Sequence, residues 1–150
     1  MIKILFVCHG NICRSQMGEA MMKYIVKQQG LADKFFIDSA GTSSEELGNP
    51  MYHMAVMKLN EYHIPIGNHR ARKMTYHDYQ DFDFILCMDE NNYRSIMRLS
   101  DNDPQNKVHK ILTFTGSNDD VADPWYTRNF EITYQQLDKS IREFIGYLGF

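Results

Sequence analysis

The order of apolar and polar positions along the chain predicts strands and helices that alternate. Residues 3–7 form an unbroken, mostly apolar run, which is typical of a central parallel strand covered on both faces. After a short polar loop, apolar residues return at helical spacing from Met17 to Ile25, and Gly30 is a suitable helix end. The first unit is therefore a strand, a tight loop and a helix.

The same unit recurs further along the chain. Phe35–Ile37 predicts a second short strand, and Pro50 is a suitable first residue for the helix that follows. Thr75 and Asp78 have the spacing of a capping box at the start of a short helix. Phe84–Met88 then predicts a third, buried strand.

The last third of the chain supplies a fourth strand and a final helix. Asp89 follows the third strand directly and is a good N-cap for the next helix. Val108–Phe114 predicts the fourth strand, and Thr115–Asn129 predicts a polar loop. The final helix has an apolar stripe, formed by Leu137, Ile141, Phe144, Ile145 and Leu148.

Alternating strands and helices predict an α/β fold in which a parallel sheet has helices on both faces. Ligands of such sheets bind beyond the carboxyl ends of the strands. Cys8 and Asp89 both come at that end, as does the loop after the fourth strand. We therefore expect these segments to share a cleft.

Composition narrows the class of protein. The chain has 150 residues, 43% of them hydrophobic, and a formal net charge of −3, so we expect one domain over residues 1–150. The negative charge and the lack of a dense basic block argue against nucleic-acid binding. The start of the chain is neither a convincing signal peptide nor a membrane span, and three cysteines do not make a disulfide framework. These features favour the cytoplasm.

Residues 8–15, the sequence CHGNICRS, predict an anion-binding loop between the first strand and the first helix. A cysteine reacts as its thiolate, which a helix N-terminus and a nearby guanidinium both favour. The loop amides form a nest for a tetrahedral dianion, and Arg14 has the planar fork that binds two of its oxygens. Gly10 permits unusual backbone angles, Asn11 tolerates a left-handed conformation, and the Ser15 hydroxyl can donate to the sulfur of Cys8.

A second motif, DPWY at residues 123–126, has the chemistry to complete such a site. A phosphate ester leaves poorly unless it is protonated, and a carboxylate such as Asp123 can supply that proton and later activate water. Trp125 and Tyr126 offer aromatic walls for a phenyl ring. The same four residues could also be a simple surface turn, but the loop at residues 8–15 favours the catalytic interpretation.

The motifs VCHGNICRS, DSAGTS, GNP, HRAR, FDFILCMDENN and DPWY together resemble the low-molecular-weight protein tyrosine phosphatases over nearly the whole chain. The resemblance implies a flavodoxin-like three-layer sandwich with a four-stranded parallel sheet. It also implies hydrolysis of phosphotyrosine, without metal or other cofactor, through a phosphocysteine intermediate that releases inorganic phosphate. By that match Cys8 is the nucleophile, Arg14 binds phosphate and the transition state, Ser15 stabilises the thiolate, and Asp123 is the general acid.

The resemblance also assigns supporting residues. Asn11, Ser15, Ser39 and His69 correspond to a hydrogen-bond network that holds the loop, although His69 could equally satisfy loop backbone. Asp89 matches a position that orients Arg14, and its N-cap role is compatible with that. The remaining members of the phosphate-binding loop are His9, Gly10, Ile12 and Cys13.

The other cysteines and the histidines predict little further chemistry. Cys13 is close enough in the loop to attack an oxidised Cys8 and form a reversible disulfide, but it could equally be a packing residue. Cys87 lies within an apolar strand and is expected in the core. The six histidines show no zinc-ligand spacing, so no metal site is predicted.

Some positions depart from the family pattern and keep alternatives open. Gln16 stands where relatives often have proline. The resulting sequence, CRSQM, also resembles that of thiol-dependent arsenate reductases, which have the same fold. Phosphoarginine phosphatases typically have threonine at the position of Ile12, so Ile12 together with the aromatic pair favours phosphotyrosine or a small aryl phosphate. A non-catalytic phosphate-binding module is a third possibility, but binding alone needs neither a thiolate nor a proton donor.

Glu45 occupies a position where the family often has an aromatic wall of the cleft. With its neighbour Glu46 it could favour basic substrates, or the two could simply be solvated loop residues. We expect no nucleic-acid or membrane partner, and a monomer or weak homodimer.

Overall fold

The computed structural model describes all residues, 1–150, and contains one parallel sheet of four strands. The spatial order is β2-β1-β3-β4, which is the order of the flavodoxin-like fold expected from the sequence. The strands are β1 (Ile2–Cys8), β2 (Phe35–Gly41), β3 (Phe84–Cys87) and β4 (Val108–Lys110). The predicted α/β class and the four-stranded parallel sheet are confirmed.

The chain contains six α-helices. They are α1 (Arg14–Gln28), α2 (His53–Glu61), α3 (Tyr76–Asp81), α4 (Glu90–Leu99), α5 (Pro124–Thr127) and α6 (Phe130–Tyr147). Two short 3₁₀ helices, Ala32–Lys34 and Ile111–Thr115, join the other elements. No helix combines the length and the apolar character that a membrane span requires.

The alternating side chains of β1 divide the core into two layers. Ile4 and Phe6 belong to the larger apolar cluster, which includes buried residues of α1, α2 and α6. Leu5 and Val7 point to the opposite face and join a smaller cluster with residues of α3 and α4. Because β1 is buried on both faces, its apolar run has no polar position between Ile4 and Val7.

Several element boundaries differ from the prediction, among them the end of β3, which is Cys87 and not Met88. β2 continues to Gly41 because it pairs with β1 along its whole length. The predicted fourth strand is wrong after Lys110, since β3 ends at Cys87, the partner of Lys110, and the following residues turn into a 3₁₀ helix. The helix expected from Pro50 begins at His53. The polar loop before α6 also contains the short helix α5.

The sheet register brings the chemically interesting segments together. Val7 pairs with Cys87, so Cys8 at the end of β1 and Asp89 just beyond β3 leave the sheet side by side. The backbone N–H of Val121, in the loop after β4, donates to the carbonyl of Met88 at 2.8 Å. The three segments therefore meet at the carboxyl ends of the strands, as predicted.

Candidate active site

The anion loop, defined as residues 8–15, links the last residue of β1 to the first turn of α1. Backbone hydrogen bonds hold its outer side: Thr42 N donates to Cys8 O at 2.9 Å, and Tyr52 N donates to Ile12 O at 2.9 Å. Gly41 allows a close approach, because a Cβ there would lie 2.7 Å from the carbonyl oxygen of His9. The end of β2 and the segment before α2 thus fix the shape of the loop.

The thiol of Cys8 lies next to the hydroxyl of Ser15, with 3.0 Å between Sγ and Oγ. The same Ser15 oxygen accepts a hydrogen bond from Asn11 Nδ2 at 2.7 Å. A hydroxyl has one hydrogen and two acceptor lone pairs, so an oxygen that already accepts from Asn11 keeps its hydrogen for the sulfur. This geometry suits a hydroxyl that donates to a thiolate.

Asn11 connects the anion loop to the rest of the site. It is 0% exposed and adopts a left-handed conformation with φ of 60°. Besides Ser15, its amide donates to Ser39 Oγ at 3.0 Å. Its carbonyl oxygen accepts from the backbone N–H of Arg72 at 3.1 Å and lies 2.9 Å from His69 Nε2. The side-chain amide therefore has a partner in every direction, which stabilises an unusual backbone angle.

A layer of charged groups behind Asn11 was not predicted from the sequence. The Ser39 hydroxyl donates to Glu19 Oε1 at 2.6 Å. His69 Nδ1 lies 3.4 Å from the same Glu19 oxygen and 3.2 Å from Asp38 Oδ1, so the ring is held at both nitrogens. Arg72 pairs with Asp38 at 3.1 Å. The available signals were the HRAR motif, which contains Arg72, and the position of Glu19 one helical turn after Ser15.

The charged layer also changes the acidity of Asp38. Burial alone would raise the pKa of this carboxyl. The hydrogen bonds from His69 and from the backbone N–H of Ser39, together with the charge of Arg72, outweigh burial and lower it. Asp38 therefore carries a negative charge at neutral pH and forms an ion pair with Arg72.

Arg14 is 3% exposed and is held at several atoms below the cleft. One terminal nitrogen donates to Val121 O at 3.0 Å, and the other donates to Asp89 Oδ2 at 2.9 Å. Burial would lower the pKa of the guanidinium, but the neighbouring Cys8, Asp123 and Asp89 together outweigh burial, and the pKa is raised. Arg14 is thus a cation that Val121 and Asp89 hold in place.

Asp89 contributes one oxygen to each of two neighbours. Its Oδ1 accepts from the backbone N–H of Asn92 at 2.7 Å and caps α4, as predicted. Its Oδ2 accepts from Arg14. Both roles named for Asp89 from the sequence coexist, because the carboxylate has two acceptor oxygens.

Asp123 stands at the edge of the cleft as the N-cap of α5. Its Oδ1 accepts from the backbone N–H of Trp125 at 3.0 Å, and its Oδ2 lies 3.4 Å from the same Arg14 nitrogen that binds Asp89. Trp125 is 46% exposed and packs edge-on against Tyr52, with ring centroids 5.2 Å apart, whereas Tyr126 is 82% exposed. The short helix thus presents one acid and two aromatic rings on the same side.

These groups surround a cleft of about 330 Å³. Cys8 and Arg14 form its base, and Asp123, Trp125 and Tyr126 form one side. The remaining residues that line it are His9, Gly10, Ile12, Cys13, Glu45 and its neighbour Glu46. The other predicted site residues are not part of the lining: Asn11, Ser15, Ser39, His69 and Asp89.

Gln16, Cys13 and Cys87 are buried side chains. The Gln16 side chain is buried and donates to Asn11 O at 2.8 Å, so it supports the anion loop from below. Burial, with the nearby charges of Cys8 and Asp123, raises the pKa of Cys13 to about 12, which keeps it a thiol at neutral pH. Cys87 is fully buried in β3, as predicted, and burial raises its pKa as well.

One group of side chains has the proximity that a metal site needs. The donor atoms of Glu19, Asp38 and His69 lie within 4.8 Å of one another. Their carboxylates already pair with Lys23 and Arg72, at 2.6 and 3.1 Å. Both carboxylates of this group therefore already have cationic partners within the protein.

The sheet order and the cleft place the protein among α/β proteins that bind an oxyanion between the first strand and the first helix, with a cysteine beneath it. The family model described as "Low molecular weight phosphotyrosine protein phosphatase" matches residues 3–149. The chain belongs to this family.

Individual relatives agree with this assignment. The human low molecular weight phosphotyrosine protein phosphatase is 39% identical over 150 residues, which is 95% of this chain and 92% of the human one. The crystal structure of YfkJ from Bacillus subtilis has a TM-score of 0.95 and 33% identity, and covers 99% of this chain and 95% of its own. A Drosophila arginine phosphatase has a TM-score of 0.90 and 28% identity, with 98% of each chain covered.

Proposed function

We propose that the protein is a protein tyrosine phosphatase that hydrolyses phosphotyrosine through a phosphocysteine intermediate. The observation that carries the proposal is the convergence of Cys8, Arg14 and Asp123 on one cleft at the end of the sheet. Membership of the phosphatase family supports it. A module that only binds phosphate would need neither a sulfur nucleophile nor a proton donor at that place.

In the first step, the anion loop amides and Arg14 bind the phosphate dianion with phosphorus above Cys8. The thiolate attacks phosphorus, an S–P bond forms, and the bond from phosphorus to the tyrosine oxygen breaks. Asp123 gives its proton to the departing oxygen, so tyrosine leaves as a neutral phenol. Ser15 donates to the sulfur in the free enzyme and thereby stabilises the thiolate before attack.

In the second step, the phosphocysteine is hydrolysed. Asp123, now a carboxylate, takes a proton from a water molecule as that water attacks phosphorus. The S–P bond breaks, inorganic phosphate forms, and the thiolate of Cys8 and the protonated Asp123 are restored. Arg14 stabilises the charge of the equatorial oxygens in both transition states, because it is held in place before the substrate arrives.

The walls of the cleft favour an aryl phosphate. Trp125 and Tyr126 on one side and Ile12 in the loop offer apolar surface to a phenyl ring. The likeness to an arginine phosphatase makes phosphoarginine the second candidate substrate. Gln16 has a supporting role toward Asn11, and Cys87 is buried, so neither adds weight to arsenate reduction.

Two variants test the proposal with p-nitrophenyl phosphate and a phosphotyrosine peptide. Cys8→Ser should abolish turnover of both substrates. Asp123→Asn should lower kcat by about 10²- to 10⁴-fold on the phosphopeptide. It should lower kcat less on p-nitrophenyl phosphate, whose phenolate leaves more readily without a proton. Asp120→Asn is the matched control, since that carboxylate pairs with Lys110 instead of Arg14.

The same assay separates the alternatives. Full turnover by Cys8→Ser would contradict a phosphocysteine mechanism. Faster turnover of phosphoarginine peptides than of phosphotyrosine peptides would favour the second candidate, and arsenate reduction with thioredoxin would favour the reductase. The cytoplasmic location, the single domain over 1–150, the absence of a metal and the monomeric or weakly dimeric state stay predictions.

A further inference from the structure

The rim of the cleft carries negative charge that no fixed cation neutralises. The acidic groups nearest its base are paired: Asp89 and Asp123 contact Arg14, and Asp120 contacts Lys110 at 2.9 Å. Glu45 and Glu46 line the same cleft without an ion pair to any lysine or arginine.

The two glutamates occupy the side of the cleft next to the anion loop. Glu45 has a side chain that is 71% exposed, and its one ionisable partner is His9, with 3.2 Å between Nε2 and Oε2. Glu46 is half-buried against the loop: its Cγ would lie 3.4 Å from a Cβ added to Gly10. Its Oε2 accepts from the Asn49 amide at 2.7 Å, a neutral partner that leaves the charge in place.

The lining of the cleft therefore combines two kinds of side chain. Trp125 and Tyr126 are aromatic, and Glu45 and Glu46 are acidic. A phosphotyrosine whose phosphate lies in the anion loop has its ring among these side chains. The neighbouring residues of the same peptide then cross the rim and meet its exposed groups.

We propose that Glu45 and Glu46 select phosphotyrosine sites that have lysine or arginine next to the phosphotyrosine. This inference rests on the proposed function, because it concerns the same cleft. A basic neighbour gains an ion pair with carboxylates that lack one, whereas an acidic neighbour is repelled. Glu45 is exposed, so each pair is screened by solvent and its effect is modest.

The contact lies away from the reacting phosphorus and is the same in the bound substrate and in the transition state. Such uniform binding changes KM and leaves kcat nearly constant. From the range for exposed ion pairs, we expect a basic peptide to exceed an acidic one about three- to tenfold in kcat/KM at low salt. Added salt should reduce the ratio toward one.

Three phosphotyrosine peptides that differ only in the residues flanking phosphotyrosine, with lysine, alanine or glutamate on both sides, provide the test. The wild type should prefer lysine over alanine over glutamate, with the difference in KM. The double variant Glu45→Gln, Glu46→Gln should remove most of the preference. Glu143→Gln is the matched control, because this exposed glutamate lies on α6, about 20 Å along the helix from Phe130, and should keep the wild-type ratio.

Each outcome bears on a different proposal. Equal kcat/KM for the three peptides, or a preference that survives in the double variant, would overturn the role of the glutamates while the phosphatase activity stands. Failure to hydrolyse any of the three peptides would overturn the proposed function and this inference with it. A salt-sensitive preference that the double variant loses and Glu143→Gln retains would establish the acidic rim as a specificity determinant.

Discussion

At the scale of single residues, Asn11 links the anion loop to β2 and to the segment that contains His69 and Arg72. Its backbone is left-handed, and its side chain holds Ser15 and Ser39 while accepting from the backbone of Arg72. A left-handed conformation costs a non-glycine residue about 1–2 kcal/mol, so this conformation persists because the surrounding hydrogen bonds require it. The loop is thus shaped before any anion binds.

Two substitutions separate the backbone and side-chain contributions of Asn11. Asn11→Ala loses the hydrogen bonds and keeps the backbone cost, so we expect it to lower the free energy of unfolding by about 3 kcal/mol. Asn11→Gly loses the same bonds but adopts the left-handed angle freely, so we expect it to be about 1 kcal/mol more stable than the alanine variant. Urea denaturation measures both, with Asn60→Ala, an exposed position on α2, as the control.

Equal stability of the alanine and glycine variants would contradict a strained backbone at Asn11. A loss of less than 0.5 kcal/mol in both, on the order of a surface substitution, would contradict the importance of its side-chain network. Phosphate affinity should fall in both variants, because the loop amides no longer have one fixed arrangement.

Some site residues carry a local signal in the sequence and others do not. The left-handed tendency of Asn11 and the helix cap at Asp89 are local properties, and both could be predicted. Glu19, Asp38 and Arg72 could not, because their importance comes from contacts between β2, α1 and the loop after α2, which no local pattern encodes. Gln16 departs from the family pattern, and its side chain supports the loop backbone at Asn11.

At the scale of elements, the site depends on how closely α1 packs on β1. Gly18 makes this possible: a Cβ at that position would lie 2.7 Å from Cδ1 of Phe6, whose side chain is fully buried. Since Arg14 and Ser15 begin the same helix, the position of α1 on the sheet sets the position of both groups under the cleft.

Gly18→Ala should therefore destabilise the protein, although alanine is the better helix former. We expect overpacking against Phe6 to cost about 1–3 kcal/mol and to lower Tm in thermal unfolding. Gly146→Ala is the matched control in α6, where a new Cβ would meet nothing within 4 Å. That variant should gain about 0.5–1 kcal/mol from helix propensity, so a rise in Tm for both variants would contradict the close packing.

Element types were predictable, and some of their ends were not. The buried run of β1 and the capping box of Thr75 and Asp78 carry their signals in the sequence, and the structure has both. The residues after Lys110 are as apolar as a strand, but a strand also needs a partner, and β3 has already ended at Cys87. The partner's length is a tertiary property, which explains why Val108–Phe114 was predicted as one strand.

At the scale of the whole molecule, ionised carboxylates join elements that are distant in sequence. Asp38 joins β2 to the segment that holds His69 and Arg72. Glu131 at the start of α6 accepts from Tyr62 and Lys58 of the α2 region at 2.5 and 3.1 Å. Hydrogen bonds from Tyr62 and Gln135, with those from Lys58, lower the pKa of Glu131 from 4.5 to about 2.

These lowered pKa values predict a loss of stability in acid. A carboxyl with a lower pKa in the folded protein than in the unfolded chain stabilises the fold above its unfolded pKa. That contribution disappears as the pH falls through the folded pKa. The window begins near the ordinary values of 3.8 for Asp38 and 4.5 for Glu131 and extends down to about 2 for the latter. The free energy of unfolding should therefore decrease as the pH is lowered below about 5.

The variant Asp38→Asn assigns part of this pH dependence to one group. Its amide oxygen still accepts from the backbone N–H of Ser39, but it has no charge for His69 and Arg72. We expect it to be less stable than the wild type at pH 7, and the difference to shrink as the pH falls below 3.8, where Asp38 of the unfolded chain is protonated. Urea denaturation at several pH values measures the difference, with the exposed Asp33→Asn as control. A difference in stability that stays constant from pH 7 to pH 2 would mean that the loss comes from packing. A contribution from the charge of Asp38 disappears when its carboxyl is protonated, whereas a packing effect does not depend on pH.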